Sequence, residues 1–457
     1  MISFSLQHIA DQLDAKLIGQ DVIFEGCSTD TRSIKKGELF VALSGPSFDG
    51  HDYISMAEKL GAIAVVVDRD VTTKLPVIKV QDTHLALSEV ARLWREEFSM
   101  PVIAITGSNG KTTVKEMISS ILSRCGNILA TKGNLNNEIG VPQTLFNLEQ
   151  KHNYAVIEMG ANHGGEITSL CEIAQPKVAV VTQCAPSHLE GFGSIEGVAK
   201  AKGEIFEFLA KDAEENIAVI NADDDYASLW KKLAGNSRII SFGLDAKDVD
   251  VSASVIEMNT KESRILLQAE GQTMKLRLPL AGKHNVLNAL AATACALALN
   301  VSMEVIRDGL QVVKSVPGRL QFKVGIKNLQ IIDDTYNANP RSYAAALDVL
   351  SQSKGQHWLA LGDMGELGDT AEKLHTEAGE QARISGVERM FTLGELSQKA
   401  TESFGAGAQH FTDQKQLIKI IKNELDKDIT LLIKGSRFTH MERVVQALES
   451  NNASTSC

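Results

Sequence analysis

Short runs of apolar, mostly β-branched residues alternate along this chain with stretches of helical period. Up to about Ser99 the runs are Phe40–Leu43, Ala64–Val67 and Val77–Val80, with a helical pattern at Tyr53–Leu60. A second series follows at Pro101–Thr106, Ala155–Met159, Val178–Thr182 and Ile217–Asn221. A third comprises Leu329–Asp334, Trp358–Asp363, Met390–Gly394 and Thr430–Lys434. Strand-length apolar runs joined through helices are the mark of parallel sheets covered on both faces. Asp250–Leu280 alternates instead, and reads as antiparallel strands inserted before a long helix at 283–300.

A break at Ser315-Val316-Pro317-Gly318 separates the second series from the third. The pattern therefore predicts three α/β domains in series, at 1–99, 100–315 and 316–457. The first is the smallest, the central one is a parallel-sheet domain of the P-loop type, and the last is Rossmann-like. A length of 457 residues agrees with a prior of about 150 residues per domain. No internal repeat occurs, and low complexity is confined to the polar tail Ser450–Cys457.

Composition narrows the class. Hydrophobic residues make up 44% of the chain, enough for several cores, which excludes disorder, collagen and coiled coil. Lys and Arg number 46 against 57 Asp and Glu, a net charge of −11 that argues against non-specific binding to nucleic acid or anionic membrane. The longest mostly apolar stretch, Ala289–Val301, is too short to span a bilayer. Met1–His8 lacks a basic segment followed by an apolar one, so no secretory signal is expected and a cytoplasmic location is. The cysteines at 27, 125, 171, 184, 295 and 457 form no CxxC pair, and reduced thiols are expected rather than a zinc site or disulfide framework.

Candidate chemistry begins where the run 101–106 meets Gly107-Ser108-Asn109-Gly110-Lys111-Thr112-Thr113. Val114, Met117, Ile118, Ile121 and Leu122 then share one helical face, and Gly126 is the expected C-cap. A strand, a glycine loop and a helix N-terminus together cradle phosphate, because backbone N–H groups can approach its oxygens and the helix dipole favours its charge. Lys111 can reach the β- and γ-phosphates, and the Thr112 hydroxyl can ligand Mg²⁺. The strict pattern wants glycine where Ile105 stands, so the loop is an abbreviated variant. Glu158 ends the second strand of the series and His188 follows the third, both on the sheet edge that faces a ligand crevice. A carboxylate and an imidazole beside phosphates can hold one or two Mg²⁺, although spacing taken alone reads His188 as a capping or core histidine. Lys200 and Lys202 share one helical stretch, and spacing does not choose between them.

The loop 106–113, the segment Lys132–Pro142, and Ile157–Ile167 resemble the Mur ligases of peptidoglycan synthesis. So do Ser187–Ser194, Ala201–Ile205, Gly282–Ala289, Ser28–Arg32, Phe48–His51, Asp333–Pro340, Gly362–Gly368 and Lys434–Arg437, which together reach both ends of the chain. Within the family, Asp333–Pro340 and Gly362–Gly368 look like the member that adds a D-alanyl-D-alanine dipeptide. Another step of the family, or a ligase like folylpolyglutamate synthase, is the alternative. Departures are Gln183-Cys184 before Ala185, and Arg341-Ser342-Tyr343 after the Asn-Pro pair.

The resemblance implies an ATP-dependent amide ligase that forms an acyl phosphate, then a tetrahedral intermediate, then ADP, phosphate and a UDP-muramoyl-pentapeptide. Its substrates would be UDP-N-acetylmuramoyl-tripeptide and D-alanyl-D-alanine, with no nucleic acid or membrane partner, and the chain is expected to be monomeric. ATP would be held by Gly107 to Thr113, Asn285, Asn288, Arg319 and Asp334. Mg²⁺, two ions in all, would be held by Thr112, Glu158, His188 and Lys202, the last as a carbamate. Lys111, Glu158, His188, Lys202 and Arg319 form the implied catalytic set. Ser28, Arg32, Phe48, Asp49, His51, Asn136 and Asn137 would take the UDP-sugar, and Asn337 and Asn339 the dipeptide. By residue type alone, Asn285 and Asn288 also read as helix polar-face filler, Asp334 as a strand-end cap and Phe48 as core.

Overall fold

The computed structural model describes residues 2–426 and 428–450; the last seven residues, Cys457 among them, lie outside this range. Three principal sheets follow one another along the chain. The first has five strands in the order Lys16–Ile18, Val77–Lys79, Ala64–Val67, Leu39–Val41, Cys27–Ser28, all parallel except the edge strand Lys16–Ile18.

The second sheet has nine strands. Their order is Ile128–Ala130, Tyr154–Glu158, Val102–Thr106, Val178–Val181, Ile217–Asn221, Arg238–Gly243, Val251–Met258, Ser263–Ala269, Gln272–Leu278. The alternating segment is therefore an extension of the central sheet, not an insertion beside it. Val251 and Ser252 pair in parallel with Phe242 and Gly243, and the two strands after them run antiparallel. Strand Val102–Thr106 shows why the apolar runs fold as they do. Its side chains point alternately to opposite faces, and both faces are covered: Val102 and Ala104 enter one apolar cluster, Ile103 and Ile105 another. Burying Val102, Ile103 and Ile105 contributes about 1.5–3 kcal/mol each, which favours an apolar run on both faces.

After Val102–Thr106 the chain adds its next two strands on one side and then crosses to the other for Val178–Val181. Such a switch point opens a crevice at the carboxyl ends of the strands. The third sheet runs Gln321–Val324, Gln330–Asp334, Ile429–Lys434, Gln356–Gly362, Arg389–Leu393, Ala408–Phe411, with its first strand antiparallel. Its switch lies beside Ile429–Lys434.

Helix Lys111–Leu122 follows the phosphate loop, and its expected apolar face is buried. It closes on Ser123 in a right-handed conformation; Gly126 lies outside the left-handed region and is not its cap. The first two domains share one apolar cluster, in which Leu87, Val90 and Trp94 of helix Thr83–Glu96 join Leu145 and Leu170 of the central domain. Between the central and third domains Ala281 joins the third domain's apolar cluster, and hydrogen bonds from Arg319, Asn339 and Arg341 cross the boundary.

Candidate active site

The carboxyl ends of the second and third sheets face each other across a cavity of about 560 Å³. The phosphate loop forms one wall. Gly107 and Gly110 hold φ of +143° and +85°, a region costly for any other residue. A Cβ at Gly107 would lie 1.9 Å from Thr182 Oγ1, and one at Gly110 would lie 2.5 Å from Asn288 Oδ1. Thr182 donates to the Asn109 carbonyl at 2.5 Å, and Ser108 Oγ donates to Ala185 O at 2.9 Å and accepts from Ser187 Oγ at 3.0 Å. These bonds tie the loop to the segment that carries His188. Lys111 curls back, donating from Nζ to Gly107 O at 2.7 Å. Burial holds its ammonium below the ordinary lysine value, with Glu158 opposing the shift and Arg319 adding to it.

Glu158 reaches the cavity because its strand pairs in register with the one before the loop, Ile105 opposite Glu158. The residue is 2% exposed. Its N–H donates to Thr131 Oγ1 at 2.9 Å, and its Oε1 accepts from Asn136 Nδ2 at 3.0 Å, while its buried Oε2 has no hydrogen-bond partner among the described residues. Asn137 turns its Oδ1 onto the Gly140 N–H at 2.9 Å. His188 lies in left-handed backbone at φ +51°, and its Nδ1 is 2.6 Å from Glu366 Oε2 of the third domain. Glu366 is left-handed as well, at φ +62°, and the imidazole holds its carboxyl below the ordinary range. The Leu189 N–H donates to the Glu366 carbonyl at 3.0 Å.

Helix Ile195–Ala210 separates the two lysines that spacing left equivalent. Lys200 is exposed and paired with Glu196 at 2.7 Å, whereas Lys202 is 1% exposed and lines the cavity. Lys202 lies 5.7 Å from the centre of the Phe192 ring and makes no ion pair among the described residues. Burial, with Lys111 nearby, pulls it down to about 7.

The third domain supplies the opposite wall. Arg319 stacks 4.2 Å from the Tyr336 ring centre and donates to Thr112 Oγ1 at 3.1 Å across the domain boundary. Asp334 pairs with the buried Lys434, which also donates to Asn337 O at 3.0 Å. Asn339 caps helix Pro340–Ser351 and exchanges amide bonds with Asn109, at 2.8 and 3.3 Å. Arg341 donates to Cys184 O at 2.8 Å, so the two departures from the family pattern meet across this boundary.

Of the candidate residues, the structure brings Ser108, Asn109, Gly110, Lys111, Asn136, Asn137, Glu158, His188, Lys202, Arg319, Asp334, Asn337 and Asn339 to one cavity. Gly107, Thr112 and Thr113 do not line it. Asn285 does not face it: the amide donates to Ala281 O at 2.7 Å, within its own helix start, and Asn288 packs against Gly110 and bonds Asn285. Both asparagines thus stand behind the loop. None of the five first-domain candidates lines the cavity. Ser28 closes a turn with Asp30, and Arg32 is exposed and paired with Asp30 at 2.6 Å. Phe48 is 50% exposed, so it is not core. Asp49 and His51 are bound in a network with Ser44, Asp68 and Arg69. Glu366, Tyr336 and Lys434 had no role from spacing; the only signal was their place in the glycine-rich and Asp-Asp-Thr-Tyr stretches.

With this geometry in view, comparison with known proteins is direct. Residues 24–95 match the catalytic domain of the Mur ligase family, 105–296 the Mur ligase middle domain, and 318–437 the glutamate ligase domain of Mur ligases. The chain is 43% identical over 99% of its own length to a UDP-N-acetylmuramoyl-tripeptide–D-alanyl-D-alanine ligase of Escherichia coli K12, of which it also spans 99%. A crystal structure of MurF from Acinetobacter baumannii superposes with a TM-score of 0.91, at 36% identity over 98% of each chain. MurF ligase of Thermotoga maritima in complex with ADP gives 0.82, at 27% identity over 93% of this chain and 96% of that one. This chain belongs to the Mur ligase family.

Proposed function

We propose that this chain is the ATP-dependent ligase that joins D-alanyl-D-alanine to UDP-N-acetylmuramoyl-tripeptide, yielding the pentapeptide precursor of peptidoglycan. One observation carries the reading. A phosphate loop, a buried glutamate, a histidine and a buried lysine of the central domain meet an arginine of the third domain around a single cavity. Such a ligase must bring a carboxylate to a polyanion. The tripeptide carboxylate oxygen attacks the γ-phosphorus and the bond to ADP breaks. The dipeptide nitrogen then attacks the acyl carbon, phosphate leaves, and the amine gives up a proton. Lys111, the loop N–H groups and Arg319 lower the charge barrier of the first step, and positioning supplies much of the rest. In this structure Arg319 bonds the Thr112 hydroxyl, so nucleotide entry requires it to let go, and the domain contact is part of the cycle.

Among the described residues no three His, Cys, Asp or Glu side chains converge as a metal cage. That suits Mg²⁺, which takes one or two carboxylates and completes its shell with phosphate and water. The unpartnered Glu158 Oε2 is the donor such an ion would satisfy, with Thr112 beside the loop. Bound there, Mg²⁺ would neutralise phosphate charge. His188 would take a second ion through Nε2 while Glu366 holds Nδ1 and orients the ring. We assign Lys202 a carbamate: its neutral nitrogen adds to CO₂ and loses one proton, turning a buried cation into an anion beside the phosphates. Burial that pulls Lys202 to about 7 supports this, since a neutral amine is needed. Isotope-labelled bicarbonate should give a carbamate resonance from the wild type and none from Lys202→Met. A bare amine in active enzyme would end the assignment.

For the UDP-sugar, exposed Phe48 and Arg32 remain available for stacking and anion contact, with Asn136 and Asn137 nearer the chemistry. Asp49 and His51 support the hairpin instead. Asn337 is the better candidate for the dipeptide, because the Asn339 amide is already engaged. No described helix is long and apolar enough to cross a membrane. We place the enzyme in the cytoplasm, where ATP is at hand, and take it to act as a monomer. With ATP, Mg²⁺ and both substrates, phosphate release is expected to depend on the dipeptide, with one product of the summed mass less water. Release that ignores the dipeptide would refute the ligase reading.

A further inference from the structure

Lys115 is a lysine with no place in the mechanism above, yet it is 3% exposed, on the helix that starts at Lys111. Residues four apart share a helix face, so Lys111 and Lys115 emerge on the same side, one turn apart. Lys111 turns to the loop. Lys115 Nζ instead donates to Thr131 O at 2.7 Å and pairs with Glu116 at 2.8 Å. Thr131 is 1% exposed, directly follows strand Ile128–Ala130, and donates its own N–H to Val156 O at 3.0 Å. Its hydroxyl accepts the Glu158 N–H at 2.9 Å.

An unbroken series of bonds therefore runs from the loop helix through Thr131 to the backbone of Glu158. Ordinary sheet pairing ends at this point: Ala130 opposite Val156 is the last pair between the two strands, and beyond it the Thr131 side chain takes over the register. A buried ammonium is costly unless partnered, and an apolar side chain of equal length would fill the space without that cost. What the ammonium adds is a directed bond to the Thr131 carbonyl. From this geometry we propose that Lys115 and Thr131 are positioning residues for Glu158, fixing the strand end so that its carboxylate is held at the cavity wall. The inference rests on reading Glu158 as a metal-holding group of the ligase site.

The test uses Lys115→Met, Thr131→Val and Thr131→Ser in the full chain, each checked for folding by its melting temperature. Mn²⁺ binding to the ADP-loaded protein is titrated by electron paramagnetic resonance, and kcat and KM are measured separately. Loss of such outer contacts typically costs about 10- to 100-fold in metal affinity or activity. Thr131→Val and Lys115→Met are expected to weaken Mn²⁺ by about tenfold or more and to lower kcat, with KM for the UDP-sugar unchanged. Thr131→Ser keeps the acceptor and should recover most of the loss. Wild-type Mn²⁺ affinity and kcat in folded Thr131→Val would overturn the proposal, as would a Thr131→Ser no better than Val. Wild-type Mn²⁺ affinity and kcat in folded Lys115→Met would overturn the role of Lys115, whose bond goes to the Thr131 carbonyl that both Thr131 variants keep; should that variant fail to fold, Lys115→Gln, which also loses the ammonium, is read in its place. A wild type that binds Mn²⁺ but never ligates would sink the function reading while leaving this comparison intact.

Discussion

Lys111→Ala is expected to lower kcat by roughly 10³-fold, the upper end of what one preorganised group supplies to developing charge. The Lys111 ammonium donates to Gly107 O within the loop itself, and burial holds it below the ordinary lysine value. An alanine leaves the loop glycines and their N–H groups in place, so nucleotide affinity should fall less than turnover. Affinity for UDP-N-acetylmuramoyl-tripeptide should stay near wild type, because the first-domain groups Arg32 and Phe48 line no part of the phosphate cavity. Calorimetric titration of the tripeptide substrate alongside kcat decides it. Loss of both together would contradict the division of labour between the domains.

Arg319→Ala is expected to be nearly as severe, about 10³-fold in kcat, the lower bound for an arginine brought to a transferring phosphoryl group. Arg319 is the third domain's cation at the loop, stacked on Tyr336 and bonded to Thr112. Lysine should rescue it poorly, since an ammonium keeps the charge but loses the planar stack and the forked donors. Because the contact crosses a domain boundary, the variant should also loosen the third domain against the central one, and small-angle scattering with ADP should show a larger radius of gyration than wild type. An Arg319→Lys enzyme with near wild-type kcat would mean that charge alone suffices and that the stacked geometry is incidental.

How much of this was legible beforehand differs by residue. The phosphate loop was readable because its requirements are local: glycines at positions of positive φ, a strand before, a helix after. The apolar runs were readable because a strand covered on both faces is apolar along most of its length, with charged residues such as Glu158, Asp334 and Lys434 held at its carboxyl end. Arg238–Gly243 and the edge strand Ala408–Phe411 escaped, the latter because an edge strand with one buried residue carries no pattern. Asp250–Leu280 was recognised as antiparallel, but its attachment to the central sheet depends on pairing with Arg238–Gly243, a strand the pattern did not reveal.

Site residues divide along the same line. Lys200 and Lys202 are identical in type and two apart, yet one is solvated and the other sealed against Phe192, because a helix turns them by about 200° relative to each other. Asn285 and Asn288 share a face, as their spacing implied, but that face backs the loop. Glu366 reaches His188, and Arg319 reaches Thr112, across separations in sequence that no local rule spans. By itself the sequence determined most of the segments that become strands and helices, where a glycine loop stands between strand and helix, and which family pattern the chain follows, since each depends on neighbours along the backbone. Only the tertiary structure decided which lysine is buried, which asparagines are already engaged, and which groups of two domains share one cavity. Burial and convergence depend on what packs from elsewhere in the chain, and that appears only when the sheets meet.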